Sequence, residues 1–235
     1  MSTLKHSSLI KTGCIVSCFL ISIISCTKTG DDPGGSGGGG GNTLPATINI
    51  INAVAGGTDA QVQGLPNPIP YGASAKADVV AGASTLHIYP VGDPSHPYFT
   101  NNVATVPGGK YSLFVAGKPG ATSSLSLQDT VHAYTDSTTG IRFVMLSPDA
   151  GPVSVNLAGK PAGSLFHDYH FGDHSLFLKF PADSQNSTYS VEFRSPGSDS
   201  LLLVYGFNAP LFQNATVVFD GLAGDHTLNT FLINN

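Results

Sequence analysis

Residues 140–159, GIRFVMLSPDAGPVSVNLAG, constrain the fold more than any other stretch, because a weaker copy of their pattern opens the preceding half. Ile141, Phe143 and Met145 fall on one face of an extended run and Arg142, Val144 and Leu146 on the other, the period of a β-strand. Ser147-Pro148-Asp149-Ala150-Gly151-Pro152 then supplies turn chemistry: fixed proline φ, an aspartate able to bond backbone, and a permissive glycine. Residues 153–157 return as a second strand. The weaker copy is Ile48-Asn49-Ile50-Ile51-Asn52-Ala53, with its turn in 54–59 and its return at Ala60-Gln61-Val62.

The repetition continues in order. Residues 48–53 match 141–146 at an offset of 93, 70–74 match 170–174 at 100, and 84–88 match 187–191 at 103. A fourth match, 109–113 with 224–228, stands at 115. A rising offset in constant order predicts two homologous units, with about 12 extra residues in the second around 195–213. Such insertions cost little closure entropy. Tyr205, Phe207 and Phe212 are therefore the candidate partner-binding tip, the alternative being an edge hairpin that completes the core.

Strand signals recur within each unit. Leu113 and Val115 alternate with Ser112 and Ala116, and Tyr189, Val191 and Phe193 alternate with Ser190, Glu192 and Arg194. One apolar and one polar face are expected of an antiparallel sheet wetted on one side. Glu192 is the only glutamate, while glycine numbers 28 and proline 16, so long charged helices are excluded and short strands with tight turns favoured. The predicted fold is all-β: two tandem antiparallel β-sandwich domains, immunoglobulin- or transthyretin-like, at 45–135 and 136–235. No Cys…Trp…Cys framework is present.

The leader gives an address. Residues 1–11 are basic and residues 13–25 apolar, too short for the roughly 20 residues of a membrane span and suited to a signal peptide at 1–25. Ile23-Ile24-Ser25-Cys26 resembles a bacterial lipobox of the Bacteroidota type. That resemblance implies cleavage before Cys26 and its lipidation, hence an outer-membrane protein held in the bilayer by acylated Cys26, surface-exposed or periplasmic. Residues 26–44 hold this cysteine and a glycine-rich tether of about 20–25 Å root-mean-square span. Acidic Asp31-Asp32 behind Lys28 loosely resembles the export signal of surface lipoproteins in Bacteroidota.

Cys14, Cys18 and Cys26 are the only cysteines, so no disulfide staples the sandwiches. Beyond residue 25 stand 8 basic and 15 acidic residues, a charge of −7, which excludes nucleic acid as an expected partner. The one metal-like cluster is His167-Asp168-Tyr169-His170-Phe171-Gly172-Asp173-His174. With period 2, only Asp168, His170 and a turn-borne Asp173 or His174 could converge on a cation. The alternative is a polar strand edge, and no cofactor is expected. No Gly-x-Ser-x-Gly elbow occurs, and the carboxylates are dispersed, so no catalytic residues are assigned. Asp129-Thr130-Val131, Asp136-Ser137-Thr138 and Asp199-Ser200-Leu201 resemble O-glycosylation sites of Bacteroidota proteins, at Thr130, Ser137 and Ser200.

An Arg-bearing strand, Ser147-Pro148-Asp149-Ala150, and an alternating strand closing on Gly159 resemble a bacterial extracytoplasmic family of unknown function, number 4397. The aromatic-glycine turn at Tyr71-Gly72 and the strand at 109–114 fit the same pattern, and Asn49 stands at the Arg position of the first copy. The resemblance implies a secreted or lipid-anchored β-sandwich without assigned activity. The sequence thus points to a non-catalytic binding or scaffolding module, with a protein or glycan at the cell surface as partner. A structural spacer and a metal-dependent hydrolase are the alternatives.

Overall fold

In a computed structural model, the described residues are 44–130, 132–183, 185 and 187–235. The expected signal segment, Cys26 and most of the expected tether lie outside them. Seven strands come first: β1 (Ala46–Val54), β2 (Ala60–Val62), β3 (Ser74–Val79), β4 (Gly82–Pro90), β5 (Phe99–Thr105), β6 (Lys110–Lys118) and β7 (Ala121–Gln128). Eight follow: β8 (Thr138–Met145), β9 (Val153–Leu157), β10 (Phe166–Tyr169), β11 (Leu178–Pro181), β12 (Thr188–Arg194), β13 (Leu201–Asn208), β14 (Asn214–Asp220) and β15 (Asn229–Asn234). The described residues are all-β, and their sheets build sandwich-like domains.

Four sheets form. Sheet I has the order β3-β1-β6-β7 and sheet II the order β2-β4-β5. Sheet III has the order β11-β8-β14-β15 and sheet IV the order β10-β9-β12-β13. Pairing is antiparallel except for one parallel pair in each half, β1 with β6 and β8 with β14. The expected all-β sandwich architecture stands, and these two pairs are the parallel exceptions within it. They arise because the first strand of each half meets a late strand after a long excursion rather than through a hairpin.

Each pair of sheets encloses a core on its inner faces. Ile48, Ile50, Leu113 and Val115 of sheet I meet Leu86, Ile88 and Val103 of sheet II. Ile141, Phe143 and Met145 of sheet III meet Val155, Val191 and Phe193 of sheet IV, as the alternation in 141–145 predicts.

The outer faces of sheets I and III, however, are not wetted. Ile51, Ala53, Phe114 and Ala116 pack against Val144, Leu146, Val218 and Ile233 in a third core. The four sheets therefore stack in the order II, I, III, IV, and β1, β6, β8 and β14 are buried on both sides. Ser112 and Ala116, expected at solvent, are buried at 0 and 1% exposure. Burial of a Val, Leu, Ile or Phe side chain stabilises by roughly 1.5–3 kcal/mol. Several of them at one seam compare with the 5–15 kcal/mol net stability of a whole domain. The halves are fused, not strung.

The register revises the fourth repeat match. Tyr111 and Ala215 face Ile48 and Ile141 in the equivalent parallel pairs, so β6 corresponds to β14 at an offset of 104. Residues 224–228 lie in the turn between β14 and β15 instead. No 12-residue insertion is needed, and β13 is the edge strand of sheet IV, the counterpart of β5 in sheet II.

Candidate functional site

A strand of apolar residues that carries one arginine must find that charge a partner. Arg142 sits on the face of β8 that looks into the seam, beside Val144, and its side chain is 4% exposed. Its Nη1 lies 2.8 Å from Asp129 Oδ1, and Asp129 is 5% exposed. Nη2 donates to Ser112 Oγ at 3.2 Å and Nε to Thr216 Oγ1 at 3.1 Å. The guanidinium stands 4.7 Å from the centre of the Phe177 ring and 5.9 Å from that of Phe114. Burial pulls the Arg142 pKa below its usual value, and Asp129 opposes the shift. Asp129 also accepts from Ser112 Oγ at 2.8 Å, and Asn235 Nδ2 donates to Ser112 Oγ at 3.1 Å. Both halves of the chain contribute to this polar knot.

A cleft of about 490 Å³ opens directly beside it. Its walls carry Ser126, Gln128, Thr130 and His132 from the first half and its connection, and His174 and Ser175 from the second. Leu127, Leu176 and Phe177 supply the apolar part. Leu176 is 83% exposed, the highest value among the exposed large apolar residues described. Apart from Arg142, already paired, the lining is neutral or imidazole. Such a surface offers hydrogen bonds and apolar contact without a net charge to attract ions.

The second wall is fixed by the segment that reads as a metal cluster. Residues 170–175 fold back along β8: Gly172 N–H donates to Met145 O at 2.8 Å, Met145 N–H to Asp173 O at 3.0 Å, and Ser175 N–H to Phe143 O at 2.9 Å. Phe143 N–H donates to Ser175 Oγ at 2.9 Å. Asp168 adopts φ 57°, within a register shift between Phe166 and Tyr169. The shift breaks the period-2 facing assumed for Asp168 and His170, so that Phe166 and Tyr169 stack at 4.6 Å instead. The histidines pair locally at the surface, His167 with Asp168 and His170 with Asp173. Among the described residues no three His, Cys, Asp or Glu side chains gather as a metal site.

The other candidate residues are dispersed. Phe207 is buried at 6% and stacks with Tyr189 and Tyr205, at centroid separations of 5.8 and 6.0 Å. Tyr205 packs on the same core. Phe212 is 48% exposed in the β13–β14 turn at φ 58°. The structure thus divides the three aromatics between core and surface. Thr130, Ser137 and Ser200 are exposed, and Thr130 lines the cleft. Asp149 of the Ser-Pro-Asp-Ala turn accepts from the backbone N–H groups of Ala223 and Gly224 at 2.7 and 3.0 Å. Partial burial would raise its pKa, but these donors hold it below the usual carboxylate range. The motif joins two turns of one sandwich.

At another point of the seam, Asp220 on β14 is fully buried, and neither oxygen makes a hydrogen bond of standard geometry. Burial pushes its pKa up to about 7, against the Gly221 N–H and the facing Tyr71 hydroxyl. Tyr71 belongs to the first half and meets Phe231 of β15 edge-on at 6.1 Å.

Residues 46–156 match the profile of the family described as Domain of unknown function (DUF4397). The span runs from the start of β1 to Asn156 in β9, and so takes in Asp129, Arg142 and the Ser-Pro-Asp-Ala turn. No curated protein matches the chain. Among solved structures, CBMbc (family CBM26) from Eubacterium rectale Amy13K, in complex with maltoheptaose, is similar at 10% identity and a TM-score of 0.23. That comparison covers 82% of this chain and 97% of the other.

Proposed function

We propose that this protein is a non-catalytic binding module of the cell envelope, held to the outer membrane through acylated Cys26, and that it takes its partner in the cleft between the two halves. One observation carries the reading: a cleft of about 490 Å³ combining neutral hydrogen-bonding side chains with Phe177 and the exposed Leu176. This mixture suits a neutral glycan chain, whose rings offer hydroxyls at the edge and apolar C–H faces. The domain organisation proposed with it is a signal at 1–25, a tether at 26–44, and sandwiches at 45–135 and 136–235. The tether lets the stacked sheets reach away from the bilayer surface.

The test measures retention of envelope polysaccharide by the wild type and two variants. Leu176→Asp places a charge in the cleft, and Val80→Asp places one at an equally open position (75% exposed) outside the cleft lining. Lost retention with Leu176→Asp alone, at an unchanged melting temperature, supports the reading. Equal retention by all three proteins overturns it. A structural spacer draws support from the third core, which fuses the sandwiches into a stiff body. A spacer would tolerate both substitutions but fail when the tether is shortened.

A further inference from the structure

Asn49 occupies in β1 the place that Arg142 occupies in β8, 93 residues on. The shorter side chain leaves space. Asn49 is 4% exposed, and neither its Nδ2 nor its Oδ1 has a hydrogen-bond partner. A buried carboxamide left so is destabilising, and a resident ligand or water would recover that loss. It lines a cavity of about 100 Å³, on the Asp129 side of the Arg142–Asp129 knot.

The cavity walls are charged. Thr47, Lys76, Lys110, Asp129 and Asn235 surround Asn49. The strand register explains the gathering: Asn49 stands opposite Lys76 on β3, and Thr47 opposite Lys110 on β6. Asp129 is neutralised by Arg142 and by the Ser112 hydroxyl. Neither lysine is in an ion pair among the described residues. Two lysines outside any ion pair therefore line one small hole with an unpaired amide, and with Asp78, whose Oδ1 accepts from the Thr47 hydroxyl at 2.7 Å, one positive charge is left in surplus there.

We propose that this cavity is a binding site for a small oxyanion, a carboxylate or phosphate group, free or at the end of a larger ligand. Asn49 Nδ2 and the two ammonium groups donate to the anion oxygens. The site is separate from the glycan cleft and stands without it.

Thermal unfolding of the full chain in detergent, at constant ionic strength, tests the proposal with inorganic phosphate and with acetate in separate titrations. A ligand that binds only the folded state raises the melting temperature saturably, whereas general salting-out by phosphate does not saturate. The expected result is a saturable rise with at least one anion. The Lys76→Gln/Lys110→Gln double variant should weaken the apparent affinity at least tenfold, and Asn49→Leu should abolish the response. Because both lysines are exposed, the double variant keeps the fold. Saturation by phosphate only, or by acetate only, identifies the anion. No saturable response to either, or the same response in wild type and double variant, overturns the proposal and leaves a cavity holding water alone.

Discussion

Arg142 Nη1 and Asp129 Oδ1 meet at 2.8 Å, at the seam between the halves, with both side chains almost wholly shielded. Removing one partner strands a buried charge, which costs about 3–5 kcal/mol. Arg142→Ala or Asp129→Ala should lower the stability measured by urea unfolding by that amount. Arg142→Met with Asp129→Leu should recover much of it, since an apolar pair of similar size leaves no stranded charge. A loss below about 1 kcal/mol for either single variant would show the pair to be solvated.

Asp220 makes stability depend on pH in an unusual direction. Its folded pKa, about 7, lies above the ordinary 3.8, so the folded state holds the proton more tightly than the unfolded chain. The associated stability is complete below pH 4 and is lost as pH rises through 7. Its size is on the order of 4 kcal/mol at most. Asp220→Asn should match the wild type near pH 4 and exceed it at pH 8, by urea unfolding at both pH values. A variant no more stable at pH 8 would refute the buried, unpaired carboxylate.

Phe207 and Phe212 should respond in opposite ways. Phe207→Ala empties part of the second core and should cost about 3–5 kcal/mol. Phe212 is half-exposed in left-handed backbone, so Phe212→Gly should be neutral or stabilising by up to about 1 kcal/mol. Melting temperatures of the two variants check this. Comparable losses would place Phe212 in the core.

Cys26→Ala should release the protein from the detergent phase on membrane partition and block processing at that site. The motivation is the lipobox-like Ile23-Ile24-Ser25-Cys26. Unchanged partition of the variant would remove the anchor from the account.

The inner cores were legible because strand alternation is local: Ile141, Phe143 and Met145 had to share a face whatever lay opposite. The seam was less so. Ser112 and Ala116 look like surface residues, and only a second sheet laid over them makes them interior. Arg142 was the available clue, since an arginine sharing a strand face with Val144 and Leu146 implies a buried partner. That partner, Asp129, lies before a turn-rich connection, and pairing at this range leaves no periodic trace. Which side chains of the His-rich run share a face was illegible for a related reason, because the register shift between Phe166 and Tyr169 breaks the period-2 facing. The cleft is assembled from 126–128, Thr130 and His132 on one side and 174–177 on the other, positions that no spacing rule relates.

In-cell photo-cross-linking from the cleft tests the central claim most directly. A photoreactive residue replaces Leu176 in one strain and Val80 in another, both at open positions, with only Leu176 lining the cleft. The account predicts a discrete envelope adduct from position 176, removed by a polysaccharide-degrading digest, and none from position 80. The same adduct from both positions, or none from 176, would contradict it.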